Sequence, residues 1–151
     1  MTKYLAVLHL KNQAPIEIIP SVFELNFTTN KGAAFGILQN HQMVFAVLTM
    51  IVLVVLLFMY LKIPRVKKYL PLDLSILVLI AGAIGNLIDR LYLSYVVDFL
   101  YFKLIDFPIF NVADMYVTCS VILLAILILV VYKEEDLEFF TQSRGDEPSK
   151  S

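Results

Sequence analysis

The sequence has few charged residues for its length. Only 17% of its 151 residues are Asp, Glu, Lys or Arg, whereas 60% are hydrophobic. Soluble domains are roughly a quarter charged and about half apolar. A chain of this size cannot bury so much apolar surface and cover the remainder with so little charge. The composition therefore indicates a membrane protein, argues against a disordered chain or a soluble enzyme, and leaves no room for a second domain.

Other scarcities exclude whole classes of site. The formal net charge is −1, so no basic surface suggests nucleic-acid binding. Cys119 is the only cysteine, which excludes an internal disulfide framework and a cysteine-rich metal site. His9 and His41 are the only histidines and no His-Glu-x-x-His motif occurs, so we expect no metal and no cofactor. Neither a Gly-x-Ser-x-Gly elbow nor a glycine-rich phosphate loop is present.

Three long apolar runs occupy residues 42–61, 72–91 and 114–132. Each is long enough to cross about 30 Å of hydrocarbon as a helix. Residues 1–10 contain a shorter apolar stretch, which predicts the end of a helix or an interfacial stub. The fold class expected is an α-helical polytopic membrane protein, with all 151 residues in one membrane domain.

The orientation follows from the basic residues between the first two runs. Residues 62–68 form the densest Lys and Arg cluster, which places the loop 62–71 in the cytoplasm. Residues 12–41 and 92–113 then lie on the outer side, and the tail 133–151 is cytoplasmic. Apolar and polar residues alternate over 21–28, which predicts a strand in a small outer sheet. The aromatic residues of the outer loop 92–113 suit the headgroup layer.

Several ionisable residues lie where a membrane tolerates them poorly, so each needs an explanation. Asn86, Asp89 and Arg90 share one helix face by their spacing of three and four residues. A purely structural interpretation pairs Asp89 with Arg90 or with another group, and lets Asn86 bond across helices.

Asp98 and Asp114 lie on the same outer side and are joined by one short loop. If they converge, they share a proton and their pKa values separate. One can then activate water while the other polarises a peptide carbonyl, which is aspartic-protease chemistry without a cofactor. The structural alternatives are a helix N-terminal charge for Asp114 and an exposed loop carboxylate for Asp98.

Four segments together resemble one family, the lipoprotein signal peptidases or signal peptidase II. The segments are Asn-Lys-Gly-Ala-Ala-Phe at 30–35, Gly-Asn-Leu-Ile-Asp-Arg at 85–90, Val-Val-Asp-Phe at 96–99 and Phe-Asn-Val-Ala-Asp at 110–114. The resemblance implies a four-span helical bundle with an outer β-cradle over 12–41. Three of the four spans would be complete here, because only the last part of the first-span motif, around Lys3, is matched.

The resemblance also implies a function. The family removes signal peptides from diacylglyceryl-modified prolipoproteins, just before the lipidated cysteine, in the bacterial inner membrane near its periplasmic face. Asp98 and Asp114 would be catalytic, and the aromatic loop would cover the substrate. The residues expected to bind substrate or support the site are Lys3, Asn30, Gly32, Asn86, Asp89, Arg90, Val96 and Asn111. The partners implied are a lipidated prolipoprotein and membrane lipid, and a monomer is expected.

Two other interpretations remain open at the level of sequence. A non-catalytic relay or assembly protein would also carry polar residues inside the membrane. Such a relay needs them spread through the membrane depth, whereas here they gather at the outer edge. The second alternative is an inactive, truncated homologue of the peptidase, suggested by the short first span.

Overall fold

The computed structural model describes residues 1–32 and 42–140. Three long helices dominate it: α2 (Gln42–Lys62), α3 (Leu70–Leu93) and α4 (Val112–Ile126), the last continued by π-helical turns over Leu127–Val131. All three are long and apolar enough to cross a membrane. The helices predicted for the three apolar runs are therefore present, although α3 extends two residues further at each end than 72–91.

Helix α3 lies in the middle and packs against both α2 and α4. Its buried face includes Leu72, Ile76, Leu79 and Gly82. Gly82 allows close approach, because a Cβ atom there would lie 2.7 Å from the backbone oxygen of Ala113 on α4. The outer faces of α2 and α4 are apolar and exposed, as expected for surfaces that contact lipid.

A small antiparallel sheet stands beside one end of these helices. Its strands are β1 (Ile16–Ile19), β2 (Phe23–Asn30) and β3 (Val96–Tyr101), in the order β1-β2-β3. The predicted strand over 21–28 corresponds to β2, which begins and ends two residues later. Opposite residues in the β2–β3 pair include Thr28 with Asp98 and Asn30 with Val96. The sheet therefore brings the ends of two predicted motifs together.

The short helix α1 (Thr2–His9) packs against β3. Ala6 and Leu10 form a buried cluster with Val97 and Phe99 of that strand. The predicted outer loop 92–113 thus contains a strand that the sequence pattern did not predict. Val96 to Phe99 are all buried, so the alternation of apolar and polar residues that marks a half-buried strand is absent.

The opposite end of the helices is closed by the segment after α4. Helix α5 (Glu134–Leu137) places Asp136 in an ion pair with Lys68. The Tyr69 hydroxyl donates to the backbone oxygen of Asp136, and the Tyr69 ring packs against Tyr132 and Phe139. The first part of the predicted cytoplasmic tail therefore lies against the basic loop. Residues 33–41 of the predicted cradle, 33–35 of its motif and 141–151 of the tail lie outside the described residues.

Candidate active site

Asn111 stands at the centre of the candidate site, at the N-terminus of α4. Its side-chain oxygen accepts hydrogen bonds from the backbone N–H groups of Ala113 (2.7 Å) and Asp114 (3.2 Å). Asp114 Oδ2 in return accepts from the Asn111 backbone N–H at 3.0 Å. This reciprocal capping box satisfies amides that a helix start leaves unpaired. Asp114 is therefore a helix N-terminal charge, as one interpretation of the sequence expected, and its second oxygen is left for other partners.

Asp98 lies on β3 and is only 1% exposed, which excludes the exposed loop carboxylate considered from the sequence. Its Oδ1 accepts a hydrogen bond from Asn111 Nδ2 at 2.7 Å. Its Oδ2 accepts from Asn30 Nδ2, on the neighbouring strand β2, at 3.0 Å. Two amides from different elements thus fix the orientation of this carboxyl group.

Asparagine amides join the two aspartates into one network. Asn86 Nδ2 on α3 donates to Asp114 Oδ1 at 2.7 Å. Asn111 Nδ2 is shared between Asp98 Oδ1 and Asn86 Oδ1, the latter at 3.2 Å. The two carboxyl groups are therefore gathered about one fully buried asparagine, as convergence of the two motifs requires.

The surroundings raise the pKa of Asp98 above that of an ordinary aspartate. Burial is the largest cause, since it disfavours the charged form, and the negative charge of Asp114 acts in the same direction. The hydrogen bonds from Asn111 and Asn30 and the charge of Lys3 oppose the rise. Asp98 consequently retains its proton to higher pH than an exposed aspartate would.

Lys3 of α1 forms hydrogen bonds with the part of α3 that carries Asn86. Its ammonium lies 2.8 Å from Asp89 Oδ2, 2.7 Å from Asn86 Oδ1 and 3.2 Å from the Gly85 carbonyl. Asp89 Oδ2 also accepts the backbone N–H of Val97 at 2.9 Å. Asp89 therefore pairs with Lys3 and not with Arg90, as one form of the structural interpretation expected. Its two contacts connect α1 and β3 to α3.

Arg90 lies on the same helix but faces α2. Its guanidinium stands 5.8 Å from the centre of the Phe45 ring, and its Nε is buried with no hydrogen-bond partner among the residues that the structure describes. The carboxylates of Asp114, Asp98 and Asp89 contribute to the electrostatic field at this guanidinium. The Nε–H group of Arg90 is therefore available to donate a hydrogen bond beside the network of asparagines and aspartates. Nothing in the sequence pattern pointed to Phe45 as its neighbour.

Gly32 and Val96 shape the site through the backbone. Gly32 has φ 87°, a conformation that favours glycine, and its N–H donates to Asn30 Oδ1 at 2.9 Å. That bond holds the Asn30 amide with its nitrogen towards Asp98. Val96, opposite Asn30 in the sheet, is buried. The spacing of Asn30 and Gly32 thus orients one of the donors to Asp98.

Comparison with known proteins identifies the family. Residues 1–130 match the family model described as signal peptidase II. The chain belongs to the signal peptidase II family of peptidases. The lipoprotein signal peptidase of Streptococcus thermophilus is 46% identical over 134 residues, which cover 89% of this chain and 84% of that protein. The lipoprotein signal peptidase of Caldanaerobacter subterraneus is 42% identical over 129 residues, covering 85% and 86% of the two chains.

Solved structures agree with this assignment. A bacterial membrane enzyme determined by the in meso method at 1.9 Å has a TM-score of 0.73 and 36% sequence identity to this chain. The match covers 87% of this chain and 84% of the other. A second such enzyme, at 2.3 Å, gives the same TM-score with 32% identity. Together with the three apolar helices, the family makes this chain a bacterial multi-pass membrane protein.

Proposed function

We propose that the chain is an aspartic endopeptidase that removes the signal peptide of diacylglyceryl-modified prolipoproteins, cutting just before the lipidated cysteine. The observation that carries this proposal is the convergence of Asp98 and Asp114 on Asn111. The names of the relatives supply the substrate class. No cofactor is needed, because two carboxyl groups in different protonation states provide both an acid and a base.

In the proposed mechanism Asp114 is the general base and Asp98 is the general acid. The Asn86 side chain and the Asn111 backbone donate to Asp114 and hold its carboxyl group in place. Asp114 takes a proton from the attacking water. Asp98, whose pKa is raised by burial, donates its proton towards the oxygen of the scissile carbonyl. When the tetrahedral intermediate collapses, the C–N bond breaks and the proton held by Asp114 passes to the leaving amine. One hydroxyl group of the intermediate returns a proton to Asp98 as the new carboxyl group forms.

The supporting residues would hold these groups and the substrate. Arg90 brings a positive charge to the α2 side. Its Nε, which has no hydrogen-bond partner among the described residues, can donate to a backbone carbonyl of an extended substrate. Asn30 and Asn86 orient the aspartates, and Lys3 neutralises Asp89. The site lies at the sheet end of α3 and α4, which the positive-inside rule assigns to the outer face of the inner membrane. There, water reaches the peptide bond while the acyl chains remain in lipid.

The relay interpretation is less well supported. It needs ionisable side chains at successive depths, whereas Lys3, Asp89, Arg90, Asp98 and Asp114 are gathered at one end of the helices. We therefore retain the peptidase as the function, acting as a monomer on a prolipoprotein delivered through the membrane.

The experiment uses two synthetic peptides of one prolipoprotein sequence, one with a diacylglyceryl cysteine and one with a free cysteine. The purified protein in lipid vesicles should cleave the first, and mass spectrometry should find a product that begins with the lipidated cysteine. Equal cleavage of the unmodified peptide, or a cut elsewhere, would contradict the proposed specificity. No cleavage of either peptide would favour the inactive homologue.

A further inference from the structure

The turn that follows β3 presents apolar side chains outwards. We call residues 102–107 the outer tip. Leu104 and Ile105 are 69% and 68% exposed, and Phe102 and Phe107 are each nearly half-exposed. Contiguous apolar residues in an exposed turn are unusual for a surface that faces only water, and they mark a contact surface.

The outer tip is held in this conformation by specific bonds. The Lys103 ammonium lies 3.0 Å from Glu17 Oε1 and 3.1 Å from the buried Glu24 Oε2. The Leu104 N–H donates to the Val22 backbone oxygen at 3.3 Å. Asp106 adopts a left-handed conformation with φ 48°, and its carboxylate accepts the Tyr101 hydroxyl. Leu104 and Ile105 are thus presented by a well-connected turn and are not folded back onto the sheet.

Aromatic rings connect the outer tip with the surface that faces lipid. Phe102 stacks on Phe110 at 5.8 Å between ring centres, and Phe107 meets Phe110 edge-on at 5.7 Å. Phe110 precedes Asn111, the N-cap of α4, and Met115 and Tyr116 are half-exposed on the surface of that helix. The six residues of β3 span about 20 Å at a rise of about 3.3 Å each. The outer tip therefore lies within about 20 Å of the end of α3 along this strand, and its contacts with Phe110 link it to the start of α4.

The charged groups of the outer tip do not favour binding to lipid phosphates. Among the residues that the structure describes, the charged groups bonded in this turn are the ammonium of Lys103 and the carboxylates of Glu17, Glu24 and Asp106, whose formal sum is two negative charges. Lys103 is already paired with both glutamates. Attraction to lipid phosphates is not available here, and the contact must come from the apolar side chains.

We propose that the outer tip inserts Leu104 and Ile105 into the outer leaflet of the membrane and anchors the sheet there. Apolar side chains of such interfacial elements reach about 5–10 Å into the boundary between headgroups and acyl chains. Because Asp98 lies on the same strand, six residues before Leu104, this anchor would set the depth of β3 relative to the bilayer. The proposal concerns membrane contact and stands whether or not the chain cleaves a substrate.

The chain contains no tryptophan, so a single introduced tryptophan reports its own surroundings. Leu104→Trp is reconstituted in phosphatidylcholine vesicles whose acyl chains are brominated near the headgroup. Its emission should shift to the blue, lose most of its intensity to the bromines, and resist acrylamide, a neutral quencher dissolved in the water. The matched control is Gln13→Trp, in the exposed polar turn between α1 and β1, which should be quenched by acrylamide and not by bromolipid.

Two results would overturn the proposal. Leu104→Trp could behave like the Gln13 control, which would leave the outer tip in water. Alternatively, bromolipid in the bilayer could fail to quench Leu104→Trp, whereas a lipidated peptide with brominated acyl chains, added to vesicles of unbrominated lipid, quenches it. The outer tip would then contact the substrate and not the outer leaflet. Ile105→Trp provides a second reporter should Leu104→Trp fail to fold. None of these readouts depends on catalysis, so they separate this proposal from the proposed function.

Discussion

Substitutions of Asn111 test whether one residue both starts α4 and tunes Asp98. Asn111→Ala removes the side-chain oxygen that caps two backbone amides and the nitrogen that donates to Asp98. Asn111→Ser removes only the second function, because serine is an N-cap residue of similar strength. The two variants therefore separate the structural role of Asn111 from its electrostatic role.

The expected costs follow from these contacts. Loss of an N-cap side chain costs about 1 kcal/mol. An unpaired buried acceptor, here Asp98 Oδ1, costs about 1–3 kcal/mol. Asn111→Ala should then lose about 2–4 kcal/mol of stability and Asn111→Ser about 1 kcal/mol less than that. Thermal unfolding in detergent should rank the proteins as wild type, then the Ser variant, then the Ala variant.

The assay for the electrostatic role is the pH dependence of kcat/KM on a lipidated peptide. In the proposed mechanism Asp98 acts in its protonated form. The hydrogen bond from Asn111 favours the ionised form and so lowers the pKa of Asp98. Removing that bond raises the pKa of Asp98, so its protonated form persists to higher pH. The alkaline limb of the pH profile then shifts to higher pH. The charges of Asp114 and Lys3 remain in place in both variants.

If the alkaline limb of Asn111→Ser stays in place or shifts to lower pH, the proposed effect of Asn111 on Asp98 is wrong. This result would mean that Asn111 does not act on the acid of the reaction, or that this acid is not Asp98. A Ser variant as unstable as the Ala variant would show that capping is not the structural role of Asn111.

Two further predictions concern support and packing. Lys3→Met should destabilise the protein by about 3 kcal/mol, because it leaves the largely buried Asp89 without its cation, whereas Lys11→Met, in an exposed turn, should have little effect on thermal unfolding. Gly82→Ala should cost about 1–3 kcal/mol because the new methyl group would press on the Ala113 carbonyl; Gly85→Ala, whose nearest contact is 3.2 Å, should cost less, and equal costs would argue against close packing of α3 on α4.

The helices were predictable because their signal is local. Uninterrupted apolar runs predict spans without reference to the rest of the chain. Helices α2 and α3, and α4 with its π-helical continuation to Val131, lie within two residues of the expected ranges. The strand β2 was predictable from alternation for the same reason. The strand β3 was not, because burial of Val96 through Phe99 removes the alternation, and only pairing with β2 reveals it.

The site was predictable in its residues but not in its connections. The spacing of Asn86, Asp89 and Arg90 predicted that they share one face of a helix, but Asn86 and Asp89 bond to α4 and α1 whereas Arg90 faces α2. Lys3 reaches Asp89 across 86 positions, and Asn111 reaches Asp98 across 13. Such contacts depend on how α1 and the sheet pack against α3, which no local pattern encodes. The role of Asn111 as the group shared by both aspartates therefore emerged only from the fold.

The central claim is that Asp98 and Asp114 together carry the hydrolysis. The most direct measurement is the single-turnover cleavage rate of a diacylglyceryl-cysteine peptide by Asp98→Asn and Asp114→Asn in lipid vesicles, with thermal unfolding measured in parallel. The control is Glu135→Gln, an exposed residue of α5 at the opposite end of the helices. We expect each site variant to fold and to lose at least about 10²-fold in rate, as loss of a general acid or base does, while the control retains its activity. Cleavage near the wild-type rate by either folded site variant would contradict the account.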